Sequence, residues 1–194
     1  MLIKSDYKKK IIFDNIELHL NIIKKQKKYL TDKIFELSRV FENKIKRKSK
    51  IFIFGNGGSA ADSQHYSAEL VVRLKKVRRP VACMSLSSDN SILTAISNDF
   101  SYTDIFSRQI EAYGKPGDVA IGLSTSANSE NVVKGLKCAK KNNLITVGLL
   151  GNKGGKCLKF CDYSLIISSS DSGRVQEISM LFWHSLCEVL EKNL

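Results

Sequence analysis

His65 and Glu69 stand four residues apart in the stretch "FGNGGSAADSQHYSAEL", residues 54–70. On a helix this spacing puts an imidazole and a carboxylate on one face. Such a pair can hold a divalent metal or move a proton. Arg73 extends the same stripe. The segment "RVQEISMLFWH" offers a second set. Its Gln176 and His184 lie about 80° apart around a helix axis, so one side can present both. Together, His65, Glu69, Gln176 and His184 make a nitrogen- and oxygen-rich set suited to zinc or a similar divalent ion. The plainer alternative is a surface His/Glu contact and a histidine satisfied inside an apolar helix, and nothing in the spacing brings the two helices together. A rival metal site, Cys157 and Cys161 in "CLKFC", has no second matching pair, so buried thiols are the simpler reading there.

Two loops are built to hold an anion. "GNGGSAA" follows an apolar run ending at Phe54 and leads into a helical pattern. Glycines let a backbone approach a ligand closely, and a helix N-terminus supplies free N–H groups and partial positive charge. The loop is not a Walker P-loop, since no Gly-Lys-Ser/Thr follows. Gly55, Gly57 and Ala60 match a loose dinucleotide fingerprint, yet the next strand "PVACMSLSS" ends in serines rather than an acid, and Asp89 comes late. A nicotinamide cofactor is therefore disfavoured. The second loop, "STSANSE", carries the hydroxyls of Ser124, Thr125, Ser126 and Ser129 just before a helix expected from about Asn128. Hydroxyls and helix N–H groups donate to phosphate oxygens. A serine-rich turn is commonly only a capped turn. Its place at the carboxyl end of a parallel strand favours a ligand site.

The elements that must position these residues are readable. "KIFIFG", "PVACMSL", "DVAIGLS", "LITVGLLG" and "YSLIIS" predict five strands. Helical stretches alternate with them, and a last helix is expected over about 173–192. Strand–helix alternation implies a parallel sheet with right-handed crossovers. Strands apolar on both faces fit a sheet covered on both sides. The expected fold is α/β, a three-layer α/β/α domain of flavodoxin-like type over residues 49–194. Residues 1–48 form an N-terminal helical extension, read as a hairpin or bent helix, with Thr31 as N-cap of its second piece. Such an extension serves oligomer contacts or simply packs on the domain.

The 194 residues are 43% hydrophobic, enough for one domain with a sizeable core. No apolar run is long enough to cross a membrane, and "MLIKSDYKKK" lacks the apolar core of a signal peptide. With five cysteines, an odd set, this points to reduced thiols and a cytoplasmic location. The formal charge of +12 is spread along the chain without interleaved aromatic residues. A lysine-rich solvated surface explains it better than nucleic-acid binding.

The stretches "GNGGSAADSQHYSAEL", "SNDFSYTDIFSRQIEAYGKPGDVAIGLSTSANSENVVKG" and "RVQEISMLFWH" closely resemble the sugar-isomerase (SIS) domain of bacterial phosphoheptose isomerases. The resemblance runs from about residue 50 to the C-terminus. It implies conversion of sedoheptulose 7-phosphate to D-glycero-D-manno-heptose 7-phosphate through an enediol, supplying heptose for lipopolysaccharide, capsule or another glycan. It also implies a homotetramer with active sites at subunit interfaces and one zinc ion per site. Carried over by position, the metal ligands are His65, Glu69, Gln176 and His184, and Glu69 and His184 are the acid–base pair. The phosphate hydroxyls are Ser124, Thr125, Ser126 and Ser129. Asn56, Gly57, Gly58 and Ser59 of the first loop, with Arg73, Asn98, Asp99 and Gln176, complete the substrate contacts.

Two departures stand out. The serine loop of the family usually reads "STSGNS", whereas Ala127 replaces the glycine here, at a cost if the position needs a positive φ. Before "RVQE" the chain reads "SSSDSG", where the family varies and some members supply a polar contact to the sugar; Asp171 and Ser172 are the candidates, and the sequence singles out neither. A rival of another class is a non-enzymatic SIS protein that binds the bacterial replication initiator. "SSDNSILTAISND" resembles that group equally, but the chain keeps both Glu69 and His184, which a binding-only protein does not need.

Overall fold

The computed structural model describes residues 2–194, with side-chain surroundings from residue 6 onward. Of the two expected forms, hairpin or bent helix, the hairpin is absent among the described residues: one continuous helix, α1, spans Leu2–Lys46. No glycine or proline interrupts this stretch. Thr31 does not cap a second helix: its Oγ1 donates back to the Lys27 carbonyl at 2.9 Å, inside a continuous helix. The helix stops where Lys48 turns left-handed at φ 60° and Ser49 N–H reaches the Lys44 carbonyl.

All five expected strands are present: β1 Ile51–Phe54, β2 Cys83–Ser85, β3 Val119–Ser124, β4 Ile145–Leu150 and β5 Tyr163–Ile166. Between and after them lie α2 Gly58–Val71, α3 Asn90–Asp99, α4 Ile105–Tyr113, α5 Glu130–Lys141 and α6 Ser172–Asn193. The sheet is wholly parallel in the order β2-β1-β3-β4-β5. Chain order reverses between β1 and β3, so a crevice opens at their carboxyl ends.

The strand pattern explains the three layers. Side chains alternate along a strand, so Ile51 and Ile53 enter one core and Phe52 and Phe54 the other. The first core packs against α1, α2 and α6 through Leu37, Phe41, Tyr66, Leu70, Phe182 and Trp183. The second packs against α3, α4 and α5 through Ile96, Phe106, Ile110, Val132 and Leu136. Only the C-terminal part of α1 is anchored this way. Its N-terminal part leaves Tyr7, Ile11, Ile12, Phe13 and Ile16 exposed. Among the described residues no helix is long and apolar enough to cross a membrane.

Candidate active site

An aromatic stack brings the two candidate faces together. Tyr66 on α2 and Trp183 on α6 lie with ring centroids 4.6 Å apart and 11° between planes, both fully buried. Stacking of this kind adds about 0.5–1.5 kcal/mol to the burial itself. Each ring is the chain neighbour of a candidate histidine, His65 and His184. Both imidazoles then meet the same carboxylate: His65 Nε2 and His184 Nε2 are each 3.1 Å from Glu69 Oε1. The imidazole rings are 5.5 Å apart. Glu69 is 7% exposed, whereas the two histidine side chains are about half and a third open to solvent. A buried carboxylate is thus presented at a surface between two nitrogen donors.

The ligand atoms of His65, Glu69 and His184 lie within 4.8 Å of one another. The second oxygen of Glu69, Oε2, is buried without a hydrogen-bond partner. An orphaned charged oxygen is costly to bury, and a bound cation offsets that cost. The donor set therefore fits a divalent metal. Gln176 is on the same helix as His184, and its side-chain amide packs against Gly58, where a Cβ would fall on the amide nitrogen. Among the described residues no third histidine, cysteine or carboxylate joins Cys157 and Cys161 in a ligand cluster. Burial raises both thiols to about 12. Cys187 is raised further, by burial and then by the charge of nearby Glu69.

Both anion loops sit at the crevice. Gly57 begins α2 at φ 56° and ψ −122°, a conformation only glycine adopts cheaply. The serine loop folds on itself: Ser124 Oγ is 3.2 Å from Ser129 Oγ and 3.5 Å from Ser126 Oγ. Ala127 does take the left-handed region, at φ 57°, and its carbonyl accepts the Cys157 N–H. The departure from glycine thus strains one residue without opening the loop. Ser59, Ser124, Thr125 and Gln176 line one small cavity of about 10 Å³ with Asp62, Tyr66 and Ser179. This cavity joins both loops to the helix of His184.

Other expected residues fare differently. Arg73 is exposed beyond the end of α2, and Asn98 and Asp99 bond to each other at the exposed end of α3, 2.9 Å apart. No described hydrogen bond ties these three to the loops. Asp171 caps α6 by accepting the Arg174 N–H at 3.1 Å, and the Ser172 hydroxyl donates to Thr125 Oγ1 at 3.0 Å. Asp89, too late for a ribose contact, caps α3 through the Ile92 N–H. Residues absent from the sequence reading are Asn131 and Tyr102, which bond to Asn56, and Asp62, whose carboxyl is raised by burial against an opposing effect of His65. A buried asparagine one residue into a helix gives no pattern to find it by. Asp62 lies one turn before Tyr66 on α2 and is visible only once that face is known to be inward.

The SIS domain profile matches residues 16–151. The chain is 42% identical to the phosphoheptose isomerase of Aquifex aeolicus, over 95% of this chain and 94% of that one. It is 51% identical to that of Paramagnetospirillum magneticum over 73% of this chain and 74% of that one. The solved phosphoheptose isomerase of Neisseria gonorrhoeae superposes with a TM-score of 0.89 at 30% identity, covering 95% of this chain and 98% of that one. With its five-stranded parallel sheet and long first helix, the chain belongs to the phosphoheptose isomerase family of SIS-domain proteins.

Proposed function

We propose that the protein interconverts sedoheptulose 7-phosphate and D-glycero-D-manno-heptose 7-phosphate. The observation that carries this reading is Glu69, a buried carboxylate held 3.1 Å from each of two imidazoles on the helix that follows the first anion loop of a phosphoheptose isomerase fold. Ketose–aldose isomerisation removes a proton from C1, passes through an enediol and delivers a proton to C2, while a proton moves between the two oxygens. Glu69 acts as the base at carbon. His184 shuttles the proton at oxygen. The phosphate rests on Ser124, Thr125, Ser126, Ser129 and the N–H groups that open α5. Asn56, Gly57, Gly58 and Ser59 hold the sugar chain, and Arg73, Asn98 and Asp99 approach it from their exposed positions.

His65, Glu69 and His184 would hold one zinc ion per subunit. The Gln176 amide, expected as a fourth ligand, packs against Gly58 about three helical turns from Glu69, so within one chain it stands with the anion loops and not with this cluster. A bound zinc supplies positive charge at the substrate oxygens. Residues 1–48 serve subunit contacts and residues 49–194 are the catalytic domain, in a homotetramer with active sites at subunit interfaces. The exposed apolar residues of α1 support this, as do the half-open histidines. Two hollows of about 350 and 410 Å³ beside α1, the second lined by Ile12, Ile16 and Leu20, offer seats for a neighbouring chain. The enzyme works in the cytoplasm and feeds heptose to surface glycans. The test is to incubate metal-free and zinc-loaded protein with sedoheptulose 7-phosphate and follow the aldose by NMR. Conversion is expected; none in either state overturns the reading.

A further inference from the structure

One side-chain contact spans the crevice between the two anion loops. Asn56 Nδ2 donates to Asn131 Oδ1 at 2.9 Å, and Asn131 Nδ2 donates back to Asn56 Oδ1 at 2.7 Å. Asn131 is 3% exposed and lies in the first turn of α5. Paired amides alone leave open which end is oxygen. Here the backbone decides. The Val132 N–H, which can only donate, meets Asn131 Oδ1 at 2.9 Å. That fixes the Asn131 oxygen, so its NH2 faces Asn56 Oδ1 and the Asn56 NH2 faces back. The Tyr102 hydroxyl donates to the same Asn56 oxygen at 2.9 Å. An amide oxygen accepts two bonds and an NH2 donates two. Among the described residues Asn56 is therefore left with one N–H without a protein acceptor and no free lone pair.

We propose that Asn131 is a positioning residue which, with Tyr102, locks Asn56 as a one-way hydrogen-bond donor to an oxygen of the sugar phosphate. The inference rests on the isomerase reading for its ligand. Lys134 strengthens the lock. Its Nζ donates to Thr103 Oγ1 at 2.6 Å and Asp104 Oδ1 at 3.1 Å, which holds the turn bearing Tyr102 against α5. An unlocked Asn56 is free to rotate and offer its oxygen to the substrate oxygens, where it repels. The pair also sets the spacing between the loops, since Asn56 follows β1 and Asn131 follows the serine loop after β3.

The test is a double-mutant cycle on sedoheptulose 7-phosphate affinity, read by calorimetry and by KM. Asn56→Ala and Asn131→Ala are each expected to weaken affinity about tenfold, the worth of one hydrogen bond to a charged or polar ligand. The double variant is expected to stay near tenfold, because Asn131 acts only through Asn56. In Asn131→Ala, KM should rise with kcat within about threefold. Effects that multiply to about a hundredfold in the double variant overturn the proposal. Should Asn131→Ala fail to fold, Tyr102→Phe alters an exposed residue and probes the same oxygen. A loss of about threefold is expected, absent in the Asn56→Ala background; persistence of that loss there refutes the lock. Turnover by the unaltered protein reports on the isomerase reading separately, since the calorimetric cycle needs binding alone. If the unaltered protein does not bind this sugar phosphate, the proposal fails.

Discussion

Replacing Glu191 by Gln strikes the clamp on residues 74–76, just past the C-terminal end of the helix that carries Glu69. The Glu191 side chain is 2% exposed, and it accepts the backbone N–H groups of Leu74, Lys75 and Lys76 at 2.6, 2.9 and 3.0 Å. Arg78 Nε lies 3.8 Å from it. The other Arg78 nitrogens donate to the carbonyls of Glu69 at 2.6 Å and Leu70 at 2.7 Å. Burial alone would raise the Glu191 carboxyl, but the three N–H groups and Arg78 outweigh it and hold the group below its ordinary range. Gln keeps the shape and one acceptor oxygen. It loses the charge and turns an NH2 toward groups that only donate. Two weakened charge-assisted bonds at about 1.5 kcal/mol each give a loss of about 3 kcal/mol. For a chain of this size that lowers Tm by roughly 6–12 °C.

The pH dependence has a fixed sign. A depressed carboxyl contributes stability that is complete above the unfolded-state value and is lost as pH falls through the folded-state value. The gap between wild type and Glu191→Gln is therefore widest near neutrality and begins to close below about pH 4.3. Thermal melts followed by circular dichroism at one fixed protein concentration measure it. A Tm within about 2 °C of wild type at neutral pH, less than 1 kcal/mol at this chain length, refutes the reasoning. So does a gap that grows toward acid.

Other substitutions test neighbouring parts of the account. Gly58→Ala places a Cβ on the Gln176 amide. It should lower kcat/KM at least about tenfold while Tm barely moves, because Ala suits a helix start; normal turnover would show that the contact does not matter. Ala127→Gly relieves about 1–2 kcal/mol of left-handed strain. It forfeits about 0.8 kcal/mol of methyl burial and about 0.4–1 kcal/mol through the unfolded chain. Denaturant unfolding should therefore shift by less than about 1 kcal/mol, and a change twice that size would contradict this balance. Zinc at a hundredfold excess over its Kd should stabilise the metal-free protein by about 2.7 kcal/mol. His65→Ala should abolish the shift in Tm; an undiminished shift would place the ion elsewhere.

The sequence carried the local part of this structure and missed the long-range part. Five apolar runs ended at glycines, serines or polar clusters, so all five strands were legible. The i, i+4 pair of His65 and Glu69 was legible for the same reason. What no spacing contained was the Tyr66–Trp183 stack that sets His65 beside His184, since the two rings are far apart in sequence and each resembles ordinary core. Asn131 and Glu191 were hidden likewise: their partners, Asn56 and the 74–76 loop, are distant in the chain. Thr31 misled because a hydroxyl before an acidic residue resembles a cap, whereas its bond to the Lys27 carbonyl keeps the helix running.

The central claim is that Glu69 moves a proton at carbon. It is tested most directly by isomerisation of sedoheptulose 7-phosphate in D2O, with deuterium at C2 of the aldose read by NMR. The zinc-loaded wild type should form the heptose 7-phosphate with solvent deuterium at C2. Glu69→Gln, still folded and still binding phosphate, should lose at least about a hundredfold in rate, the low end for a positioned acid–base group. Near-normal turnover by Glu69→Gln would contradict the account.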